Sequence, residues 1–237
     1  MSSRAARVYG VIRRPRVTFS TIVQRPSWVP VLAAITAVTF LCGFTFLRTD
    51  VGQQALVDQW ERTSTAFGQA VDDEGYAQME RTARSGGFEV VYAAATALAS
   101  GPALVFVVSA LLFGLLKRRD PPGSRPSFVQ VLAVVSYASV ILALRQVVAT
   151  PIDYLRESIA SPTTLVQFFS MLDEASPLAR FLGIMDLFVI WWIVVLAIGV
   201  SVLYQRSTRS LALVFTGAYV VLALLAALAM AVSGGTA

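Results

Sequence analysis

Five long apolar stretches restrict what this chain can fold into. A helix needs about 20 mostly apolar residues to cross the hydrocarbon core of a bilayer. Stretches of this kind cover residues 28–47, 88–116, 128–149, 181–204 and 211–232. Only 14% of the 237 residues are charged, whereas a soluble domain carries about a quarter. The sequence therefore predicts an all-α fold, a polytopic membrane helix bundle with five transmembrane helices.

Basic and acidic residues alternate between the segments that connect these spans. The basic segments are 1–27, with six arginines and no acid, 117–125 and 205–210, whereas residues 48–87 and 150–180 are richer in acids. Since basic loops stay on the cytoplasmic side, the N-terminus is predicted inside and the C-terminus outside. The net charge of +5 then reflects topology and attraction to anionic lipids, and no nucleic-acid partner is expected.

Residues 1–27 form a cytoplasmic basic amphipathic segment ahead of the membrane domain, residues 28–237. Its apolar residues fall at helical spacing on either side of Pro15, and they are Val8, Val11, Ile12, Phe19, Ile22 and Val23. Basic residues beside an apolar face are typical of a helix in the membrane interface. A charged tail without fixed structure, which only sets the topology, is the alternative.

Local signals predict helix boundaries outside the spans. Residues 50–71 and the stretch up to Arg84 favour helices, so the outer loops are expected to be helical. The pairs Ser161-Pro162, Ser176-Pro177 and Thr150-Pro151 each predict a helix start, since Ser or Thr caps free amides and Pro suits the first turn. Gly101-Pro102 predicts a kink in the second span, with a functional hinge as the alternative.

A ten-residue pattern occurs twice, as RPSWVPVLAA from Arg25 and RPSFVQVLAV from Arg125. Each copy precedes an apolar span, and in the second copy Ser127-x-x-Gln130 matches a capping box. The pattern indicates two helix starts at the cytoplasmic face rather than a ligand motif.

The chain contains no His and one cysteine, Cys42. An intramolecular disulfide is therefore excluded, as is a nucleophile activated by His. We expect no enzymatic activity, no metal and no cofactor.

Arg145 and Asp186 are ionisable residues within predicted spans, where a charge is costly and calls for a functional hypothesis. Counting along each span places both in the outer half of the bilayer. They are the candidate binding residues, as an ion pair that fixes the packing of spans three and four. Two alternatives are that Arg145 snorkels while Asp186 forms hydrogen bonds within the bundle, and that both line a solute or proton pathway.

Three segments carry a family resemblance: PRVTFSTIVQRPSWVPVL, SFVQVLAVVSYASV and GIMDLFVIWWIVVLAIGVSVL. In this order they resemble prokaryotic Yip-domain proteins, relatives of the eukaryotic Rab-interacting Yip family. The resemblance covers about residues 8–231 and implies five spans in a prokaryotic cytoplasmic membrane. The Asp-Leu-Tyr-Gly-Pro motif of eukaryotic trafficking members is missing, which puts Rab binding in doubt for this chain.

These observations favour a non-enzymatic scaffold or adaptor that organises other membrane proteins, copies of itself or lipids. The alternative is a small solute or ion transporter or channel that uses Arg145 and Asp186. Five spans without an evident inverted repeat make transport the weaker interpretation.

Overall fold

Five helices of the structure are long and apolar enough to cross a membrane. They are Val29–Leu47, Phe88–Leu116, Phe128–Leu155, Leu187–Tyr204 and Thr208–Val232. The structure is a computed structural model that describes residues 4–117, 126–169, 171 and 176–234. Within these ranges the only β-type pairing is one isolated bridge. The predicted all-α membrane fold is confirmed.

The α-helices of the described residues are numbered along the chain. They are α1 (Arg4–Arg13), α2 (Pro15–Gln24), α3 (Val29–Leu47), α4 (Asp50–Ala66), α5 (Asp73–Ala83), α6 (Phe88–Leu98), α7 (Leu104–Lys117), α8 (Phe128–Ala138), α9 (Val140–Leu155), α10 (Pro177–Ile184), α11 (Leu187–Tyr204) and α12 (Thr208–Gly234). Several predicted charged loop residues lie outside the described residues, namely Arg118, Arg119, Asp120, Arg125, Asp173 and Glu174.

The chain divides into two compact units, each built from three segments. Unit 1 consists of Met1–Thr39, Ala97–Leu144 and Phe188–Gly217, and unit 2 consists of Phe40–Thr96, Arg145–Leu187 and Ala218–Ala237. Each unit has its own cluster of buried apolar side chains.

In unit 1 the N-terminal helices pack against the protein itself. Val11, Phe19 and Ile22 are completely buried in the unit 1 core, and α1 and α2 both contact α8. A Cβ at Gly199 would lie 2.6 Å from a methyl carbon of Val134 and 3.1 Å from the Phe19 ring, so glycine permits this packing. The apolar face that was expected to enter the membrane interface is thus covered by protein. The segment is helical, in contrast to the alternative prediction of a tail without fixed structure.

The predicted capping box at the start of α8 is confirmed. Ser127 Oγ accepts a hydrogen bond from the Gln130 amide at 3.3 Å, and Gln130 Oε1 accepts one from the Ser127 amide at 2.8 Å. The Gln130 side chain also donates to the Val23 carbonyl at 3.1 Å. One glutamine therefore caps α8 and attaches the end of α2 to it.

A π-helical turn, Ala99–Ala103, joins α6 to α7 and contains the Gly101-Pro102 pair. Pro cannot donate the helical hydrogen bond at its position, and such bulges accompany kinks. A Cβ at Gly101 would lie 2.9 Å from Thr36 Oγ1, which accounts for the glycine by close packing.

The helices predicted between the first and second spans are present in unit 2 as α4 and α5. Thr49 caps α4 by accepting from the Gly52 amide at 3.0 Å, and Asp72 caps α5 by accepting from the Gly75 amide at 2.8 Å. The Tyr76 hydroxyl donates to Asp58 at 3.0 Å and so joins α5 to α4. Burial raises the pKa of the Tyr76 phenol, and the adjacent Asp58 carboxylate raises it further.

Two predicted helix starts in unit 2 are wrong and one is confirmed. Pro151 lies inside α9, which continues to Leu155. The Thr150 hydroxyl donates to the Gln146 carbonyl, as is common for a threonine within a helix, and caps no new helix. Ser161 starts no α-helix, and only a 3-10 turn follows at Leu165–Phe168. Ser176 does cap α10, accepting from the Ala179 amide at 3.1 Å.

Candidate functional site

Arg145 and Asp186 both belong to unit 2. Arg145 lies in α9, whereas Asp186 lies between the end of α10 at Ile184 and the start of α11 at Leu187. The sequence predicted Asp186 within one uninterrupted span, residues 181–204. In the structure the carboxylate instead immediately precedes a helix, where the helix dipole favours a negative charge.

The interruption has a clear backbone cause. Met185 adopts extended dihedral angles, φ −74° and ψ 103°, and Asp186 forms an antiparallel bridge with Thr164. The Leu165 amide donates to the Met185 carbonyl at 2.8 Å, and the Leu187 amide donates to the Thr163 carbonyl at 3.0 Å. These bonds replace helical ones, so the backbone groups at the break remain satisfied.

Arg145 and Asp186 form an ion pair. Arg145 Nε donates to Asp186 Oδ2 at 2.7 Å. The same oxygen accepts from the hydroxyl of Thr163 at 2.6 Å and from that of Ser161 at 3.2 Å, while Arg145 Nη2 donates to Ser161 Oγ at 2.8 Å. We call these four residues the Arg145–Asp186 cluster.

The two charges differ in burial. The Asp186 side chain is 4% exposed and that of Arg145 is 30% exposed. Taking a carboxylate out of water is costly unless a cation and further donors compensate for its hydration. Arg145 supplies the cation, and Ser161 and Thr163 supply hydroxyl donors.

A tyrosine of the last membrane-length helix forms hydrogen bonds with the backbone at this break between α10 and α11. The Tyr219 hydroxyl donates to the Ile184 carbonyl at 2.6 Å and accepts from the Asp186 amide at 3.1 Å. Tyr219 lies in α12, so this hydroxyl connects α12 to the segment that carries the carboxylate. It satisfies one acceptor and one donor that the end of α10 leaves without helical partners.

Sequence reasoning identified the two charged members of the cluster and missed the neutral ones. The run Ser161-Pro162-Thr163-Thr164 predicts a helix start when only local signals are considered, although a group of small hydroxyl side chains is also suited to hydrogen bonding with a charge. The sequence gives only a weak signal for Tyr219, which is the one tyrosine in the sequence of α12.

A family model described as the Yip1 domain matches residues 9–230. The chain belongs to the Yip1 domain family. The Yip1 domain thus includes the whole Arg145–Asp186 cluster and Tyr219, and the predicted resemblance to the Yip family is confirmed. Searches of curated proteins and of solved structures found no match. With five membrane-length helices, this Yip1-domain chain is a multi-pass integral membrane protein.

Proposed function

We propose that the chain is a non-enzymatic scaffold or adaptor that organises membrane proteins, copies of itself or lipids in the cytoplasmic membrane of a prokaryotic cell. Its Yip1 domain is of a family that is not known as enzymatic. The proposed role requires a rigid membrane domain and a surface that holds partners, and no chemical step.

The observation that carries this proposal is the hydrogen bonding of one oxygen of the Asp186 carboxylate within its own chain. Its Oδ2 accepts from one guanidinium and two hydroxyls, and the residue is 3% exposed. A carboxylate held in this way is suited to fixing the positions of α9, α10 and the loop between them. It is poorly placed to exchange partners with a passing ion.

The alternative is a transporter or channel that uses Arg145 and Asp186. That function requires at least one of the two charges to be open to solute during the cycle. The 30% exposure of the Arg145 side chain is the feature that leaves this alternative worth testing.

A cavity in unit 1 supports a role in lipid organisation. It has a volume of about 390 Å³, and the polar residues of its lining are Arg16, Ser20, Ser201, Gln205 and Arg206. Two guanidinium groups with hydroxyl and amide groups beside them match the hydrogen-bonding needs of a phosphate. The predicted topology places this cavity at the cytoplasmic face, where anionic lipids are abundant.

Lipid binding is tested with the purified full chain in nanodiscs of phosphatidylcholine, with or without phosphatidylglycerol. We expect native mass spectrometry to detect retained phosphatidylglycerol on the wild type and several-fold less on the double variant Arg16→Gln, Arg206→Gln. The matched control is the double variant Arg13→Gln, Arg209→Gln, which removes the same charge elsewhere. Equal retention by both double variants would contradict a specific lipid site.

A second experiment distinguishes the scaffold function from the transport function. Proteoliposomes are assayed for flux of monovalent ions and protons, and native membranes are solubilised mildly for affinity purification of the tagged chain. A scaffold gives reproducible co-purifying membrane components and no flux above empty liposomes. Flux that Asp186→Asn abolishes while the variant remains folded would overturn the scaffold proposal and support the transporter.

A further inference from the structure

Unit 2 contains a cavity of about 220 Å³ that the Arg145–Asp186 cluster does not use. Three of its polar residues come from α9, namely Gln146, Thr150 and Asp153, and Thr96 and Tyr92 come from α6. Positions 146, 150 and 153 are separated by four and three residues, so they share one face of the helix. The cavity is therefore built on regular helices and has a defined polar side.

Asp153 is the acidic group of this cavity. The residue is 9% exposed, and its Oδ1 atom is buried without a hydrogen-bond partner among the described residues. The nearby arginines are bonded elsewhere, Arg145 to Asp186 and Arg156 to the side chain of Gln167 at 2.7 Å. Because burial of a carboxylate oxygen without a partner is unfavourable, the site is suited to a ligand that supplies a donor.

The hydroxyl groups of the cavity are also acceptors toward a ligand. Thr150 Oγ1 donates its proton to the Gln146 carbonyl at 2.8 Å, and Thr96 Oγ1 donates to the Tyr92 carbonyl at 2.9 Å. A hydroxyl has one proton to donate, so each oxygen can only accept from a bound molecule. A carboxylate beside acceptor hydroxyls calls for a ligand with a positive charge and several N–H or O–H donors.

The same features of the cavity favour an ammonium group over a metal ion as its ligand. Hard metal ions take about six to eight oxygen ligands, and the described residues contain no group of three or more His, Cys, Asp or Glu side chains that could hold one. An ammonium group needs about three acceptors and also interacts favourably with an aromatic ring such as that of Tyr92. The apolar remainder of the lining, which includes Phe46 and Leu47, suits the carbon atoms attached to such a group.

We propose that the Asp153 cavity binds the primary ammonium group of a small amine or of an aminophospholipid headgroup. The carboxylate of Asp153 and the hydroxyl of Thr150 accept the N–H donors, and the apolar wall accommodates the alkyl part. This site is separate from the residues on which the scaffold proposal rests, so either proposal can fail without the other.

Cys42 provides a direct test, because it is the only cysteine of the chain and lines this cavity. The full chain in phosphatidylcholine nanodiscs is labelled with 2-aminoethyl methanethiosulfonate, and the rate is measured with and without ethanolamine. At ethanolamine concentrations well above the Kd we expect labelling to slow about tenfold, as site occupancy rises. Choline, which has no N–H donor, should protect much less.

The variants separate a role of the carboxylate from a general effect of charge. Asp153→Asn should abolish protection by ethanolamine, whereas Glu157→Gln, an exposed carboxylate close by in the chain, should keep it. If Asp153→Asn does not fold, Thr150→Val serves instead, and we expect it to weaken ethanolamine binding about tenfold through loss of one acceptor for a charged donor.

The source of the ammonium group is identified by repeating the labelling in nanodiscs that contain phosphatidylethanolamine. Protection by this lipid without added amine supports a headgroup ligand, and protection by ethanolamine alone supports a free amine. The proposal is overturned if neither slows labelling, if choline protects as well as ethanolamine, or if Asp153→Asn remains protected.

Discussion

The Arg145–Asp186 ion pair makes a quantitative prediction through a double-mutant cycle. The variants are Asp186→Asn, Arg145→Met and the combination of both. Removing one partner from a buried ion pair costs about 3–5 kcal/mol of unfolding free energy. Because the Arg145 side chain keeps 30% exposure, water can partly solvate it after the carboxylate is neutralised. Asp186→Asn should therefore fall near the lower limit, at about 3 kcal/mol.

The reverse truncation should cost more. Arg145→Met leaves the Asp186 carboxylate, whose side chain is 4% exposed, with the hydroxyls of Ser161 and Thr163 and no cation. We expect a loss of about 4 kcal/mol. The double variant buries neither charge, so its loss should be smaller than the sum of the single losses by about 3 kcal/mol, the upper end of measured pair couplings.

The assay is an unfolding titration with SDS in mixed micelles, followed by tryptophan fluorescence. A control cycle pairs Arg156→Met with Asp186→Asn, since Arg156 is exposed and bonds to Gln167 instead. The control should be additive within about 0.5 kcal/mol. If the Arg145 cycle is equally additive, the two charges do not stabilise each other and the structural role of the pair is refuted.

Four further substitutions are checked with the same titration. Gly52→Ala should destabilise the protein by about 3 kcal/mol, because its Cβ would lie 2.1 Å from the Phe46 carbonyl oxygen. Gly114→Ala in α7, whose Cβ meets nothing within 4 Å, should instead stabilise it by about 0.5–1 kcal/mol. A similar effect of both substitutions would contradict this packing. Tyr219→Phe should cost about 1–3 kcal/mol, since it leaves a buried amide and a carbonyl without their partner, and an unchanged midpoint would exclude the bridging role of its hydroxyl. Ser127→Ala should cost about 1 kcal/mol through loss of the α8 cap, and no loss would show that the capping box contributes nothing to stability.

The membrane helices could be predicted because their signal is local. Each span is a run of apolar residues whose length matches the bilayer, and the capping box of Ser127 and Gln130 lies within four consecutive residues. The charges at Arg145 and Asp186 were also conspicuous, since each interrupts an apolar sequence. These features do not depend on which distant segment packs beside them.

The neutral partners of the charges could not be predicted in the same way. Ser161 lies 25 positions before Asp186 in the sequence, and Ser-Pro is a valid helix start when only local geometry is considered. The break at Met185 also depends on a tertiary partner, because its carbonyl needs the Leu165 amide. Local propensity favours a continuous helix here, and the bridge to Thr164 overrides it.

The fate of the N-terminal apolar face illustrates the same limit. Helical spacing correctly grouped Phe19 with Ile22, but spacing alone does not distinguish a lipid surface from a protein surface as the partner of that face. Gly199 could have indicated close packing, although glycine is common in membrane helices for several reasons.

The bridge between Thr164 and Asp186 limits how the chain can vary in length. Inserting one residue between Thr163 and Leu165 would change the spacing of the two bonds that form the bridge. If the Leu187 amide kept the Thr163 carbonyl as its acceptor, the Leu165 amide could no longer reach the Met185 carbonyl. The connection before α11 resembles an ordinary loop in the sequence, but it has as little freedom for insertions and deletions as a strand in a sheet. The amide hydrogens of Leu165 and Leu187 should therefore exchange with deuterium as slowly as those of the flanking helices.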